Sequence, residues 1–105
     1  MNLKDGAAVV ADLTTVGRKS GLPRTVELRF LYYRGSFYAS SSRVKGKHWC
    51  LNLLANPSVE LTVKGEKCAC TARQVTDDTL RKEVLLLRGS ARDMDRVVFE
   101  ITPDG

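Results

Sequence analysis

Residues 9–33 read VVADLTTVGRKSGLPRTVELRFLYY, and this stretch decides the fold. Val9–Thr15 is rich in β-branched and small apolar residues, which is typical of a strand. From Thr25 to Tyr33 apolar residues recur at every second position, which predicts another strand with one core face, formed by Val26, Leu28, Phe30 and Tyr32. Between the two strands lie the turn residues Gly17, Ser20, Gly21 and Pro23. The stretch therefore predicts two strands joined by a basic turn.

Beyond this stretch the pattern continues with a hairpin and then a helix. Arg34-Gly35 predicts a turn into a third strand, Phe37–Ser40, which is followed by a Ser-rich, basic loop. Lys47–Ala55 has helical periodicity and stops before Pro57, because the residue preceding a proline is biased away from helical angles. The expected apolar face of this helix consists of Trp49, Cys50, Leu53 and Leu54.

The last part of the chain predicts a second hairpin, a second helix and a final strand. Val59–Val63 and Cys68–Val75 form the hairpin around Lys64-Gly65-Glu66. A helix over Leu80–Leu87 follows, with an N-cap at Asp77 or Asp78 and an end at Arg88-Gly89, and the last strand is Arg96–Ile101. Six short strands linked in this way predict a mainly β chain, a closed or nearly closed antiparallel barrel with two short helices, since closure removes the sheet edges.

The length and composition predict a single domain over residues 1–105. So short a chain has little material for a deep pocket of its own, so we expect a homodimer. No apolar run reaches the roughly 18 to 20 residues of a membrane span, and Met1–Gly6 lacks the layout of a secretory signal, so the predicted location is cytoplasmic. The odd number of cysteines, three, argues against a disulfide framework and predicts reduced thiols.

The charge of the chain favours an anionic partner. Seventeen Lys and Arg against twelve Asp and Glu give a formal net charge of +5, and part of the excess is concentrated in Arg18–Arg24 and Arg43–His48. In Thr14–Thr25, two glycines allow backbone amides to turn inward beside charged donors, as a phosphate requires. The candidate phosphate ligands are Arg18, Lys19 and Arg24, with hydroxyls from Ser20 and Thr25. A solvated basic hairpin turn is the alternative interpretation.

Other chemistries are disfavoured by the residues present. His48 is the sole histidine and no Gly-x-Ser-x-Gly motif occurs, which argues against a hydrolase. Cys68-x-Cys70 lacks the spacing of a zinc site, so no metal site is predicted. No catalytic side chain is assigned, since a redox cofactor would carry the reactive atom itself. His48 is interpreted as a surface residue or a phosphate contact.

Three segments resemble the deazaflavin (F420)-dependent nitroreductase and quinone reductase family of the split β-barrel flavin-binding superfamily. They are LTTVGRKSGLPRTVEL at Leu13–Leu28, ASSSR at Ala39–Arg43 and WCLNLLANPSVELTV at Trp49–Val63. The resemblance implies an FMN-binding-like, six-stranded antiparallel split β-barrel. It also implies coenzyme F420, a 5-deazaflavin with a phosphate-containing tail, as cofactor, with FMN as the alternative.

Carried over position by position, the resemblance implies three groups of cofactor-binding residues. Those near the phosphate are Arg18, Lys19, Ser20, Arg24 and Thr25. Those beside the ring and tail are Ser40, Ser42 and Arg43, and those in the helix that borders the cleft are Trp49 and Asn52. Two departures from the family pattern are Glu27, which replaces a proline, and a shorter loop between Arg43 and Trp49.

The function implied by the resemblance is hydride transfer between reduced F420 and a small electron-poor substrate, a quinone or nitro compound. One alternative is a cofactor-binding carrier module without turnover, and another is an FMN-binding protein. A small basic barrel that binds single-stranded nucleic acid is disfavoured. Its aromatics would be Tyr32, Tyr33, Phe37 and Tyr38, but they alternate between faces, so several must belong to the core.

Overall fold

The computed structural model describes residues 3–89 and 94–105 and confirms the mainly β barrel with two helices. The strands are β1 (Ala7–Val16), β2 (Pro23–Tyr33), β3 (Ser36–Ser41), β4 (Ser58–Val63), β5 (Glu66–Gln74) and β6 (Val97–Pro103). Helix α1 (His48–Ala55) lies between β3 and β4, and helix α2 (Asp78–Leu87) lies between β5 and β6. Each predicted element is present, and no end is shifted by more than two residues.

The strands close into an antiparallel barrel with the order β1-β2-β3-β6-β5-β4. Strands β1, β2 and β3 are sequential neighbours, and so are β4, β5 and β6. Two seams join these halves: Phe37 of β3 lies opposite Ile101 of β6, and Leu13 of β1 lies opposite Leu61 of β4. Every strand is therefore paired on both sides.

The core fills the inside of the barrel with alternate residues from each strand. Leu13, Phe30, Leu61 and Phe99 are almost completely buried. The rings of Phe30 and Phe37 pack edge to face, with centroids 6.3 Å apart. Full burial of each large apolar side chain stabilises the fold by about 1.5–3 kcal/mol, so this interior is the main source of stability.

Two-residue turns close the β2–β3 and β4–β5 hairpins. Arg34 and Gly35 have φ angles of 51° and 82°, and Lys64 and Gly65 have φ angles of 50° and 81°. Such left-handed pairs match the twist of the flanking strands, and glycine adopts this conformation without steric cost. Glu66, expected in the second turn, instead begins β5.

Helix α1 covers one end of the interior, but its predicted apolar face was partly wrong. Cys50 and Leu53 are buried as expected, whereas Leu54 is 45% exposed. Asn52, at 3% exposure, occupies the buried side instead. Residues three and four positions apart share a helix face, which places Asn52 and Leu53 beside Trp49, and Asn52 finds hydrogen-bond partners on the barrel.

Helix α2 creates a second, smaller core on the outside of the barrel. Val84 and Leu85 of α2 pack against Leu31, Tyr38 and Val98, which point outward from β2, β3 and β6. The expectation of one core face in β2 is therefore wrong near Tyr33, because α2 covers the second face there. The predicted cap is present: the backbone N–H of Thr79 donates to Asp77 Oδ1 at 3.0 Å.

The cysteines are free thiols in different environments. Cys68 and Cys70 share the inward face of β5, but only Cys70 is fully buried. Burial raises the pKa of Cys50 to about 11 and that of Cys70 to about 12, so both thiols stay protonated at neutral pH.

In the part of the chain that the structure describes, neither helix has the length and apolar character needed to span a membrane.

Candidate functional site

A cleft of about 610 Å³ lies between the β1–β2 turn and the start of α1. This volume falls within the range of about 300–1,000 Å³ that is usual for sites that bind small molecules and cofactors. The turn, the start of β2, the end of β1 and the first part of α1 line it, with the residues Thr15, Gly17, Arg18, Lys19, Ser20, Arg24, Thr25, Val26, Gly46, Lys47, His48, Trp49 and Asn52.

The β1–β2 turn is held by its own backbone and by Ser20. The N–H of Gly17 donates to the carbonyl of Leu22, and the N–H of Gly21 donates to the carbonyl of Gly17, both at 2.8 Å. Leu22 N–H also donates to Ser20 Oγ at 3.2 Å. A Cβ on Gly17 would lie 2.6 Å from Ser20 Oγ and 3.1 Å from the Leu22 carbonyl oxygen, so only glycine fits this position without rearrangement.

Asn52 joins helix α1 to this turn. Its Oδ1 accepts from the Arg18 backbone N–H at 3.3 Å and from Arg18 Nη1 at 2.9 Å. Its Nδ2 donates to Thr15 Oγ1, which is 1% exposed, at 3.3 Å. The Asn52 amide is thus engaged within the protein, and its role is to hold Arg18 in place.

Cationic side chains dominate the polar part of the cleft. Arg18, Lys19, Arg24 and Lys47 line it, and no Asp or Glu of the described residues does. Among the residues that the structure describes, none of these four cations lies within ion-pair distance of a carboxylate. Hydroxyls add further donors, although the Thr25 Oγ1 already lies 2.8 Å from Thr14 Oγ1. Such a set of donors fits a phosphate-bearing ligand.

Trp49 and Val26 give the cleft an apolar wall. The Trp49 ring packs edge to face against Phe99 of the main core, with centroids 5.6 Å apart. It is half-buried, so the rest of its surface remains in the cleft. Trp49 therefore combines two roles that the sequence left open, because it anchors the core and also borders the cleft.

The structure brings seven of the ten predicted site residues together: Arg18, Lys19, Ser20, Arg24, Thr25, Trp49 and Asn52. Ser40, Ser42 and Arg43 are not among the lining residues. Alternation along β3 places Ser40 on the outer face, where its Oγ accepts from Arg96 Nε at 3.0 Å. Ser42 and Arg43 follow the strand and are exposed. Their contact with a cofactor stays a prediction.

Two polar lining residues were not predicted. Thr15 was assigned to a strand without a role, and only its position opposite Asn52 in the fold shows its importance. Lys47 belongs to the basic segment Arg43–His48, so its charge was a usable signal, but its position at the start of α1 was needed to direct it to the cleft.

The barrel and its basic cleft define a protein of the flavin-binding split-barrel class. Residues 3–94 match the family described as F420H(2)-dependent quinone reductase. The chain belongs to this family, which is a family of oxidoreductase enzymes.

Solved structures with the same fold include F420-related proteins. An F420-H2-dependent reductase is 25% identical, with 88% of this chain and 92% of that chain covered and a TM-score of 0.70. A protein described as a domain-swapped dimer is also 25% identical, with coverages of 88% and 78% and a TM-score of 0.71. A putative pyridoxamine 5′-phosphate oxidase from Listeria innocua, at 20% identity, coverages of 91% and 84% and a TM-score of 0.73, shares the fold.

Proposed function

We propose that this chain is a reductase that binds reduced coenzyme F420 in the cleft and acts on a small electron-poor substrate, a quinone or nitro compound. The observation that carries the proposal is the cleft itself, where four cations, with no carboxylate among the described lining residues, face an apolar wall. A cofactor that carries a phosphate on the chain attached to a flat ring fits this arrangement. FMN has the same two features and is the alternative cofactor.

The phosphate is assigned to the turn. Arg18 and Arg24 can each hold a phosphate through two parallel hydrogen bonds, whereas Lys19 and Lys47 act as point charges. Ser20 and Thr25 add hydroxyl contacts. Asn52 acts through Arg18, since its own amide is already engaged.

The remaining residues orient the ring and exclude water. When bound, the cofactor supplies the hydride chemistry, so the protein needs no acid–base pair of its own for that step. Trp49 and Val26 present apolar surface to the cleft, which favours a flat ring and displaces water. We assign Ser40, Ser42 and Arg43 to the ring and tail from the end of β3, as the family resemblance implies.

We also propose that residues 1–105 act as one cofactor-binding domain within a homodimer. The protein described as a domain-swapped dimer, 25% identical to this chain, supports the dimer. Light scattering of the cofactor-bound protein tests this point. We expect twice the chain mass of 11.6 kDa, and a single-chain mass at micromolar concentration would contradict the proposal.

The central experiment is a titration of cofactor binding in variants of the turn. A charged hydrogen bond contributes about 1.5–3 kcal/mol and tenfold in affinity is about 1.4 kcal/mol, so Arg24→Ala should weaken F420 binding by roughly tenfold to a few hundredfold. Lys19→Ala should fall at the lower end of that range. Arg73→Ala is the control, because Arg73 pairs with Glu100 and does not line the cleft. Binding within threefold of wild type in both turn variants and in their double variant would contradict the assignment.

Two further measurements separate the alternatives. We expect F420 to bind at least tenfold more tightly than FMN, and equal or reversed affinities would favour an FMN-binding protein. Mixing the protein with reduced F420 and a quinone distinguishes an enzyme from a carrier. Repeated turnover supports the reductase, and cofactor binding without turnover supports the carrier module.

A further inference from the structure

Three arginines converge on the outer surface of the barrel, away from the cleft. Arg29 lies on β2, Arg88 caps the end of α2, and Arg96 immediately precedes β6. We name these three residues the arginine cluster. None of them lines the cleft described above.

Hydrogen bonds and strand order place the cluster together. Arg88 Nη1 donates to the Arg29 carbonyl oxygen at 3.4 Å. Arg96 donates to Ser40 of β3 twice, from Nε to the hydroxyl at 3.0 Å and from Nη2 to the carbonyl at 3.4 Å. Strand β3 lies between β2 and β6, so Ser40 stands between the strand of Arg29 and the strand that Arg96 precedes.

Among the described residues, no neighbouring acid compensates the positive charges of the cluster. Across residues 3–89 and 94–105, no carboxylate lies within ion-pair distance of Arg29, Arg88 or Arg96. Glu100 of β6 is engaged by Arg73, and Glu83 of α2 lies beside Arg34. Burial lowers the pKa of Arg88, and repulsion by Arg96 and Arg29 lowers it further.

Within residues 3–89 and 94–105, the cluster retains N–H donors that have no hydrogen-bond acceptor. A guanidinium has five N–H groups, and the contacts above use one on Arg88 and two on Arg96. Forked donors of this kind match the oxygens of a tetrahedral anion.

We propose that the arginine cluster forms a second anion site, which binds a phosphate-class oxyanion. The site shares no residue with the lining of the cleft, so the proposal does not depend on the identity of the cofactor. The anion can be inorganic phosphate or the phosphate group of a larger molecule, and the two sources are distinguished below.

Calorimetric titration tests the second site in the Arg18→Ala/Arg24→Ala variant, where phosphate binding in the cleft is weakened. We expect inorganic phosphate or phenyl phosphate to bind this variant with a stoichiometry near one. If inorganic phosphate and phenyl phosphate bind with similar affinities, the site is one for free phosphate. If phenyl phosphate binds more tightly, the site is one for the phosphate group of a larger ligand. No binding of either probe would overturn the proposal.

Substitutions in the same background test the residues. Arg88→Gln and Arg29→Gln should each weaken phosphate binding at least tenfold. Arg73→Gln is the matched control, an arginine of the outer surface that is paired with Glu100, and it should change affinity less than twofold. Arg29 is exposed on its strand, so its variant keeps the test valid if Arg88→Gln does not fold.

Arg88 has a purely structural alternative role as the cap of α2. In that case Arg88→Gln would lower the melting temperature, and phosphate affinity would stay within twofold of its parent in both variants. That combination overturns the proposal. An unchanged or raised melting temperature without phosphate, combined with lost phosphate binding, supports it, because removal of one charge relieves the repulsion.

Discussion

The two helices are held on the barrel in different ways. Helix α2 has an N-cap at Asp77 and ion pairs from Asp78 to Arg81 and Lys82 within its own first turns. Helix α1 has no side-chain hydrogen bond at its N-cap and no acidic residue in its first turn. It depends on buried Cys50 and Leu53 and on the Asn52 contacts.

The difference separates local from tertiary stabilisation. Caps and ion pairs spaced three or four residues apart stabilise α2 through residues of its own segment, while α1 depends on the barrel beneath it. The helix that borders the cleft is thus the one that depends on tertiary contacts. Changes in α1 should affect both stability and cofactor binding in the cleft, whereas changes in α2 should leave cofactor binding in the cleft unchanged.

The largest effect is expected from Leu53→Ala in α1. Leu53 is 1% exposed, and truncation of a buried leucine costs about 2–5 kcal/mol. Leu54→Ala is the matched control, because the next residue is 45% exposed and its truncation should change stability by about 0.5 kcal/mol or less. Urea unfolding of both variants gives the comparison, and equal losses would show that α1 is not anchored through Leu53.

A smaller effect is expected from Asn52→Ala. The change leaves the buried Thr15 hydroxyl without its partner and releases Arg18, at a cost of about 1–3 kcal/mol. Cofactor affinity should fall as well, because Arg18 is no longer held in position. A double-mutant cycle with Arg18→Ala measures the coupling. If the two changes weaken binding additively, Asn52 does not act through Arg18.

The loss of the α2 cap should affect stability alone. Asp77→Ala removes the acceptor for Thr79 N–H, which costs about 1 kcal/mol. Cofactor affinity should remain at the wild-type value, since Asp77 is not among the residues that line the cleft. Thermal unfolding and fluorescence titration measure the two quantities, and a parallel loss of affinity would contradict the separation of the helices.

The smallest effect concerns Glu100 of β6 and depends on pH. Burial alone would raise its pKa, but hydrogen bonds from Tyr38 and Arg73 outweigh burial, and the pKa is lowered. A lowered native pKa stabilises the fold above the ordinary glutamate pKa of about 4.3, and this contribution is lost as the pH falls through the native pKa. The stability difference between wild type and Glu100→Gln should therefore be larger at pH 7 than at pH 3. Equal stability differences at pH 7 and pH 3 would contradict a lowered pKa of Glu100.

The elements of the fold were predictable because their signals are local. Alternation in Thr25–Tyr33 and the turn pairs Arg34-Gly35 and Lys64-Gly65 depend on a few adjacent residues. The exposure of Leu54 and burial of Asn52 were not predictable, since an amide is buried only where the fold supplies partners. The burial of Leu31 was not predictable either, because it depends on packing against α2, which is distant in sequence.

The candidate site was predictable in part for a related reason. Arg18, Lys19, Ser20, Arg24 and Thr25 lie in one short stretch around a single turn, so their shared location follows from the chain itself. Lys47 and Thr15 come to the same cleft through the docking of α1. The sequence could not show that the Ser40 side chain lies on the outer face of the barrel, because this depends on the register of β3 with its neighbouring strands.

The two seams of the barrel have a consequence for folding kinetics. Each three-stranded half forms between strands that are neighbours in sequence, but the β3–β6 seam pairs Phe37 with Ile101 across most of the chain. Bringing such distant segments together costs loop-closure entropy before any contact is gained, and non-local pairing slows folding. We expect the rate of folding to be set by the meeting of the two halves, while the turns Arg34-Gly35 and Lys64-Gly65 contribute chiefly to the speed with which each half forms.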